Sequence, residues 1–249
     1  MAESRAVPFP VIEKPPSRIP LKRRLLAQAL FWVALAALVR LAHMLFAAES
    51  PLFRVPTSDE YEHWELATSL AAGDWLGLRR GAYHRPQLFA YALAGLLKIF
   101  GGRLGPVHGV LALVDSLGVG LLWLAARRAL SRRAAFWGAT AAVTYWPFVH
   151  FSATLYMESF ALAIQAGLLL ALAAALRRLV RRRPAEPDAG QRPLPPPLFW
   201  AGALAGLALL TRPTVAITLP WVAALLFFAA RRGGAGGWRE IARLEASDA

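Results

Sequence analysis

Apolar residues in this chain come in long blocks that are separated by short polar segments. There are seven such blocks, at residues 25–48, 88–100, 106–126, 134–153, 158–176, 198–210 and 214–230. A helix that crosses the hydrocarbon core of a bilayer needs about 20 apolar residues, and several of the blocks approach or exceed that length. The pattern therefore predicts an all-α integral membrane protein.

Basic residues lie beside the apolar blocks and indicate how the chain crosses the membrane. They form four clusters, at residues 22–24, 127–133, 177–183 and 231–232. Because basic residues concentrate on the cytosolic side, an even number of crossings separates each neighbouring pair of clusters. Three blocks lie between the first two clusters, so one of them does not cross. The shortest, 88–100, is therefore assigned to an interfacial or re-entrant helix. We predict about six transmembrane helices, cytosolic termini, and an extracytoplasmic first loop, 49–105, that carries short interfacial helices.

Composition agrees with a membrane protein and excludes other classes. Hydrophobic residues make up 57% of the 249 residues, charged residues only 17%, and the mean hydropathy is +0.43. The formal net charge of +13 would favour a nucleic-acid partner if the basic residues formed one patch. They flank the apolar blocks instead, so we expect the lipid bilayer as a partner and no nucleic acid. The absence of cysteine excludes disulfides and thiolate metal sites.

The apolar blocks divide the chain into a membrane domain and two polar ends. Residues 1–24 form a Pro-rich cytosolic tail, residues 25–232 the transmembrane domain, and residues 184–197 a Pro-rich cytosolic linker within it. The polar segment 233–249 leaves open that the chain is a fragment of a longer membrane protein. The Ala- and Arg-rich composition is typical of a bacterium of high genomic GC, so we expect the inner membrane as the location.

An acidic pair in the first loop is the most informative candidate site. Asp59 and Glu60 follow Thr57 at the start of a helical pattern. In one interpretation Thr57 and Glu60 form a capping box, and the acids favour the helix N-terminus through its dipole. In the other, one carboxylate acts as a general base or a metal ligand near the bilayer surface.

Four further candidate residues join the acidic pair on the predicted extracytoplasmic side. Glu158 begins a span, and Arg212 lies at a Pro-containing break between two short apolar helices. Arg85 precedes the interfacial helix, and His63 follows the acidic pair by one turn. Either arginine could bind a substrate phosphate or anchor the chain at the lipid headgroups. His63 is a candidate for substrate binding or a mixed metal site, with a structural role as the alternative.

A buried acid and two tryptophans complete the candidates. Asp115 lies about nine residues into a span, where a buried charge is costly. It therefore marks either a functional site or an ion pair with Arg40 of the first span, and we favour the ion pair. Most tryptophans lie near span ends, as interfacial anchors do. Trp64 and Trp75 of the first loop are the exceptions to test as substrate platforms.

The order of these motifs resembles the GT-C superfamily of membrane glycosyltransferases. It is most similar to the family 39 group, which includes protein O-mannosyltransferases and the lipid A aminoarabinose transferase. The matching residues, spread over about 25–232, are Ser58-Asp59-Glu60 followed by Tyr61, His63 and Ala67; Ala72-Gly73-Asp74-Trp75; Arg85-Pro86-Gln87-Leu88; Tyr156-Met-Glu158-Ser159; and Leu209-Leu-Thr-Arg212-Pro213-Thr214.

The resemblance implies a polyprenyl-phosphate sugar as donor at the outer membrane face, and a lipid, protein or glycan hydroxyl as acceptor. It implies that Asp59 takes the acceptor proton while Arg85 and Arg212 stabilise the leaving phosphate. Glu60 and Glu158 would orient the acceptor or, with Asp59, hold a divalent cation, which relatives use variably.

Two alternatives to an active glycosyltransferase stay open at the level of sequence. A transporter or flippase subunit would place ionisable groups near the bilayer midplane and often shows an internal repeat. Here only Asp115 lies at that depth, and no repeat is visible. The other alternative is an inactive fragment of a longer glycosyltransferase.

Overall fold

A computed structural model of the chain describes residues 21–50, 53, 55–76, 87–180 and 196–232. Within these ranges all regular structure is helical, which confirms the predicted all-α membrane fold class. The predicted ends 1–24 and 233–249 and the linker 184–197 lie wholly or mostly outside the described residues. The helices are α1 Leu21–Ala47, α2 Asp59–Ala71, α3 Gln87–Ile99, α4 Leu104–Ala129, α5 Arg132–Thr144, α6 Trp146–Ser152, α7 Glu158–Val180, α8 Pro196–Thr211, a 3₁₀ helix Pro213–Thr218 and α9 Leu219–Arg232.

Helix length separates long candidate spans from shorter apolar helices. Among the described residues, three stretches are long and apolar enough to cross a bilayer: Arg23–Ala47, Leu104–Ala129 and Glu158–Leu179. The shorter apolar helices include α3, which at 1.5 Å per residue is about 20 Å long, less than the roughly 30 Å hydrocarbon core. Six crossings and an interfacial α3 remain predictions.

The block 134–153, predicted as one span, is two helices in the structure. α5 ends at Thr144, Tyr145 is extended, and α6 begins at Trp146 with Pro147 in its first turn. Proline has no N–H to donate and its ring clashes with the preceding turn, so a continuous helix cannot pass through this point. The chain therefore changes helix shortly before the turn that leads into α7.

An ion pair joins α1, α4 and α5 inside the bundle. The Arg40 guanidinium donates through Nε to Asp115, and both side chains are buried. Arg40 also donates through Nη2 to the carbonyl oxygen of Ala142 at 3.3 Å, and through Nη1 to that of Ala36 at 3.4 Å. The predicted pairing of Asp115 with Arg40 is confirmed, and it satisfies a charge that would be costly alone at this depth.

Two glycines let neighbouring helices approach α4 on different sides. A Cβ at Gly118 would lie 3.0 Å from the backbone nitrogen of Ala163 in α7. A Cβ at Gly120 would lie 2.4 Å from a methyl group of Val33 in α1. Small residues at such crossings are typical of membrane helix packing, where van der Waals contact replaces the hydrophobic effect.

The first-loop helices pack on the bundle through an apolar cluster of their own. α2 and α3 contact each other along their buried faces, and α3 also contacts α4 and α8. The fully or nearly buried members are Ala67, Leu70, Phe89, Ala90, Leu93, Ala94, Leu97, Val107, Leu111 and Leu155. This cluster holds α2, which carries the acidic pair in its first turn, against the start of α4 and the turn that precedes α7.

Candidate functional site

A turn with unusual backbone geometry presents the acidic pair. Ser58, the N-cap of α2, has φ 51° and ψ −126°, in the left-handed half of backbone space that non-glycine residues rarely adopt. Its side chain makes no capping hydrogen bond. Strained backbone of this kind persists only where the surrounding structure holds it, and it often occurs at functional sites. Here it sets the direction in which Asp59 and Glu60 leave the turn.

Glu60 links the first loop to a distant part of the chain. Its Oε1 accepts a hydrogen bond of 3.0 Å from the backbone N–H of Leu155, which is 95 residues away. Its Oε2 accepts a longer bond of 3.5 Å from the backbone N–H of Thr57. The Glu60 half of the predicted capping box is therefore present, while Ser58, and not Thr57, is the N-cap.

The two neighbouring acids have different environments. Glu60 is buried, with 8% of its surface exposed, and its carboxylate holds the loop to the bundle. Asp59 is only partly buried. Asp59 is therefore more accessible to solvent and ligands than Glu60.

A cavity of about 290 Å³ lies beside Glu60, at the end of the bundle that the charge pattern predicts to be extracytoplasmic. Its walls come from the end of α1, the first loop, the start of α4, and the segment around the end of α6. The residues that line it are His43, Ala47, Ser50, Phe53, Thr57, Glu60, His108, His150, Ala153, Thr154 and Tyr156. Hydroxyl, imidazole and carboxylate groups thus face one space, as a polar ligand such as a sugar or a hydroxyl acceptor requires.

His108 has the most defined geometry among the residues that line this cavity. Its Nδ1 lies 2.7 Å from the carbonyl oxygen of Ala153, and because a carbonyl only accepts, Nδ1 donates. In the neutral ring Nε2 then carries a lone pair. Nε2 is buried and makes no hydrogen bond to any described residue, and the side chain as a whole is 3% exposed. The structure thus holds a hydrogen-bond acceptor in the cavity wall.

The two other histidines of the cavity belong to an aromatic group with Trp146. The His150 ring stacks on Trp146 with centroids 6.0 Å apart, and His43 meets the same indole edge-on at 5.0 Å. Sequence inspection did not single out His43, His108 or His150. The available signal was their common position near the predicted outer ends of three blocks.

Glu158 and Arg212, which were expected at one face, are brought together. Arg212 Nη1 lies 3.7 Å from Glu158 Oε1, and both side chains are partly exposed. Arg212 is extended, between the end of α8 and the 3₁₀ helix that begins at Pro213. Glu158 opens α7, two residues after Tyr156 of the cavity wall. A partly exposed guanidinium whose ion pair with Glu158 is as long as 3.7 Å retains donors for a phosphate.

The remaining predicted residues lie in different places. Arg85 lies outside the described residues. His63 is buried, with its ring edge-on to Phe89 at 5.2 Å, and it does not line the cavity. Trp64 packs partly against the apolar cluster of α2 and α3. Trp75 is exposed, and the Lys98 ammonium lies 5.6 Å from the centre of its ring.

A divalent cation was left open at the level of sequence, with Asp59, Glu60 and Glu158 as its ligands. In the part of the chain that the structure describes, no group of three or more His, Asp or Glu side chains is arranged to hold a metal ion. One oxygen of Glu60 already accepts the Leu155 N–H. These residues do not fit a metal centre.

Comparison with known proteins supplies the family. A model of the dolichyl-phosphate-mannose-protein mannosyltransferase family matches residues 84–238, which is more than half of the chain. The matched segment contains Arg85, Glu158 and Arg212, whereas Asp59 and Glu60 precede it. No curated protein and no solved structure matched the chain. With its apolar helices and this match, the chain belongs to the dolichyl-phosphate-mannose-protein mannosyltransferase family and is a membrane glycosyltransferase of the GT-C type.

Proposed function

We propose that the chain transfers a sugar from a polyprenyl-phosphate donor to an acceptor hydroxyl at the extracytoplasmic face of the inner membrane. The observation that carries the proposal is the cavity lined by Glu60 and His108, at the same end of the bundle as the Glu158–Arg212 pair, in a chain of this family. The predicted outer ends of α1, α4, α7 and α8 all contribute to this region.

The proposed step is a displacement at the anomeric carbon of the donor sugar. Asp59 accepts the proton of the acceptor hydroxyl as the oxygen forms a bond to the anomeric carbon. The bond from that carbon to the phosphate oxygen breaks, and the polyprenyl phosphate leaves with the electron pair. No acid is required, because the phosphate is stable as an anion.

Positive charge beside the leaving phosphate is the second requirement of this step. Arg212 supplies it in the described region, and Arg85 is proposed to join it from the segment before α3. Glu158 holds the Arg212 side chain at 3.7 Å and thereby limits the directions in which the guanidinium points. The pair is a positioning device in this proposal, with Arg212 as the phosphate-binding member.

The cavity beside Glu60 is proposed as the acceptor site. A hydroxyl of the acceptor other than the reacting one can donate to Nε2 of His108 in this space, and the other ring nitrogen of His108 is fixed on Ala153. Glu60 keeps the first loop against this wall and so positions the neighbouring Asp59. His63 supports the loop from the buried side of α2, where it packs on Phe89.

Transfer from a panel of radiolabelled polyprenyl-phosphate sugars tests the proposal, in membranes from cells that express the chain. Asp59→Asn keeps the size of the side chain and removes the base, so we expect transfer to fall by about 10²- to 10⁴-fold. Glu65→Gln is the matched control, because it changes another partly buried carboxylate of α2 in the same way.

Transfer by the two variants can be compared only if both insert into the membrane as the wild-type chain does. Immunoblotting of washed membranes measures this insertion. Loss of transfer in Asp59→Asn and retention in Glu65→Gln would support the assignment. Undiminished transfer by Asp59→Asn would remove Asp59 as the base, and equal loss in both variants would indicate damage to α2 instead of lost chemistry.

A further inference from the structure

A second cavity lies at the opposite end of the bundle from the proposed acceptor site. It has a volume of about 400 Å³ and is enclosed by the start of α1, the end of α4 and the start of α5. Gln28 of this cavity precedes His43 of the other by fifteen positions along α1, which corresponds to about 22 Å of helix. It therefore cannot be part of the same site.

The lining of this second cavity favours an anion. Arg127 of α4 and Arg132 of α5 contribute two guanidinium groups, Gln28 adds an amide, and none of the described residues that line the cavity is acidic. The Nε and Nη1 atoms of Arg127 are buried within the protein, so a ligand here would meet a charge that water screens poorly. Arg132 is the first residue of α5, whose N-terminal dipole adds positive potential.

The remaining walls are aromatic and continue onto the outer surface of the helices. Trp32 and Trp123 form the buried side, and Phe136 meets Trp32 edge-on with centroids 5.5 Å apart. Phe31 also lines the cavity, and both it and Phe136 are largely exposed on the surface of the bundle. An inorganic anion makes no apolar contacts with such walls, whereas acyl chains can pack against them.

We propose that this cavity binds the phosphodiester headgroup of an anionic glycerophospholipid, with the acyl chains along Phe31 and Phe136. Arg127 and Arg132 bind the phosphate, and the glycerol and the upper acyl carbons occupy the aromatic part. Basic pockets between membrane helices on the cytosolic side are suited to such headgroups. The site is independent of the sugar-transfer proposal, since it shares no residue with it.

Lipid titration of the purified full chain in detergent, followed by native mass spectrometry, tests this site. The probes are phosphatidylglycerol, zwitterionic phosphatidylcholine, and inorganic phosphate in large excess as a competitor. Arg132→Glu is compared with Arg133→Glu, which reverses the same charge at the next exposed position of α5 but does not line the cavity. A glutamate is favourable in the first turn of a helix, so both variants are expected to fold.

We expect one tightly bound phosphatidylglycerol on the wild-type chain and on Arg133→Glu, with the Kd of Arg132→Glu raised about tenfold or more. Phosphatidylcholine should bind at least about tenfold more weakly than phosphatidylglycerol. If the two substitutions weakened phosphatidylglycerol binding equally, the binding would depend only on surface charge, and the proposal would be overturned. Equal binding of the two lipids, displacement by inorganic phosphate, or no retained lipid would overturn it as well.

Discussion

At the scale of single residues, the site depends on neighbouring groups that have different tasks. Asp59 and Glu60 are adjacent in sequence, but only Glu60 is buried and bonded to Leu155. His108 likewise uses one ring nitrogen for the fold, while its other ring nitrogen is buried and makes no hydrogen bond to any described residue. Substitutions at His108 can therefore be chosen to remove the function of one ring nitrogen and keep that of the other.

His108 gives a residue-scale prediction with two matched substitutions. His108→Asn places an amide near the Nδ1 position, so it can still donate to Ala153, but it removes the Nε2 acceptor. We expect this variant to keep the thermal stability of the wild-type chain and to lose about threefold to tenfold in transfer rate, the effect of one neutral hydrogen bond.

His108→Gln is the opposite substitution, because it is expected to keep the acceptor and lose the structural hydrogen bond. It keeps an acceptor near the Nε2 position and gives up the bond to Ala153, so we expect it to transfer sugar faster than His108→Asn but to unfold at a lower temperature. Thermal unfolding in detergent and transfer in membranes are measured side by side. If activity simply followed stability in both variants, His108 would have only a structural role.

The charged candidate residues were easier to pick out from the sequence than the histidines that line the cavity. Asp59, Glu60, Glu158 and Arg212 were recognisable because charges at the ends of apolar blocks are conspicuous. His43, His108 and His150 were not, because each lies within an apolar block and nothing local shows that they face one cavity. That proximity depends on how α1, α4 and α6 pack, which is a tertiary property.

At the scale of elements, close helix packing around α4 fixes the position of His108 relative to the Glu158–Arg212 pair. α4 carries His108 at its start and contacts both α1 and α7. Its contact with α7 passes Gly118, where the backbone of Ala163 leaves little room for a side chain. The position of α7 in turn determines where Glu158 meets Arg212.

Gly118→Ala is expected to destabilise the chain by about 1–3 kcal/mol, because the added methyl group meets backbone atoms that cannot move independently. Gly109→Ala on the same helix is the control, since nothing lies within 4 Å of a Cβ there. Alanine also favours a helix more than glycine does, so the control should be neutral or stabilising. A thermal shift of equal size in both variants would contradict the close-packing account.

The elements themselves could be predicted only in part. Block length and arginine position identified the apolar helices, and the interior pair of Arg40 and Asp115 followed from the cost of a lone buried charge. The break between α5 and α6 was missed because the block 134–153 is continuously apolar enough to be taken as one span. Pro147 was the local signal that a helix could not continue.

At the scale of the whole molecule, the two proposed sites require that the two cavities of the protein open on opposite sides of the membrane. The absence of cysteine allows a direct test, since any introduced thiol is the only one in the chain. Ala72→Cys, at the exposed end of α2, should react with a membrane-impermeant maleimide in intact cells. Leu130→Cys, in the exposed turn after α4, should react only after the membrane is permeabilised.

Labelling of Leu130→Cys in intact cells, or protection of Ala72→Cys until permeabilisation, would reverse the predicted topology. The proposed acceptor site would then face the cytosol and the lipid site the exterior. Both substitutions lie outside the residues that line the cavities, so activity of each variant can be checked in the same preparation.

The central claim is that the chain breaks the bond between a sugar and a lipid phosphate. The most direct measurement uses a polyprenyl-phosphate sugar with tritium in the sugar and radioactive phosphorus in the phosphate, supplied to membranes that contain the wild-type chain or Asp59→Asn. We expect tritium to move to the acceptor while the phosphorus stays with the polyprenyl lipid, and we expect Asp59→Asn to suppress this separation. Labels that stay together, or move across the membrane as one molecule, would contradict the central claim and favour a transporter.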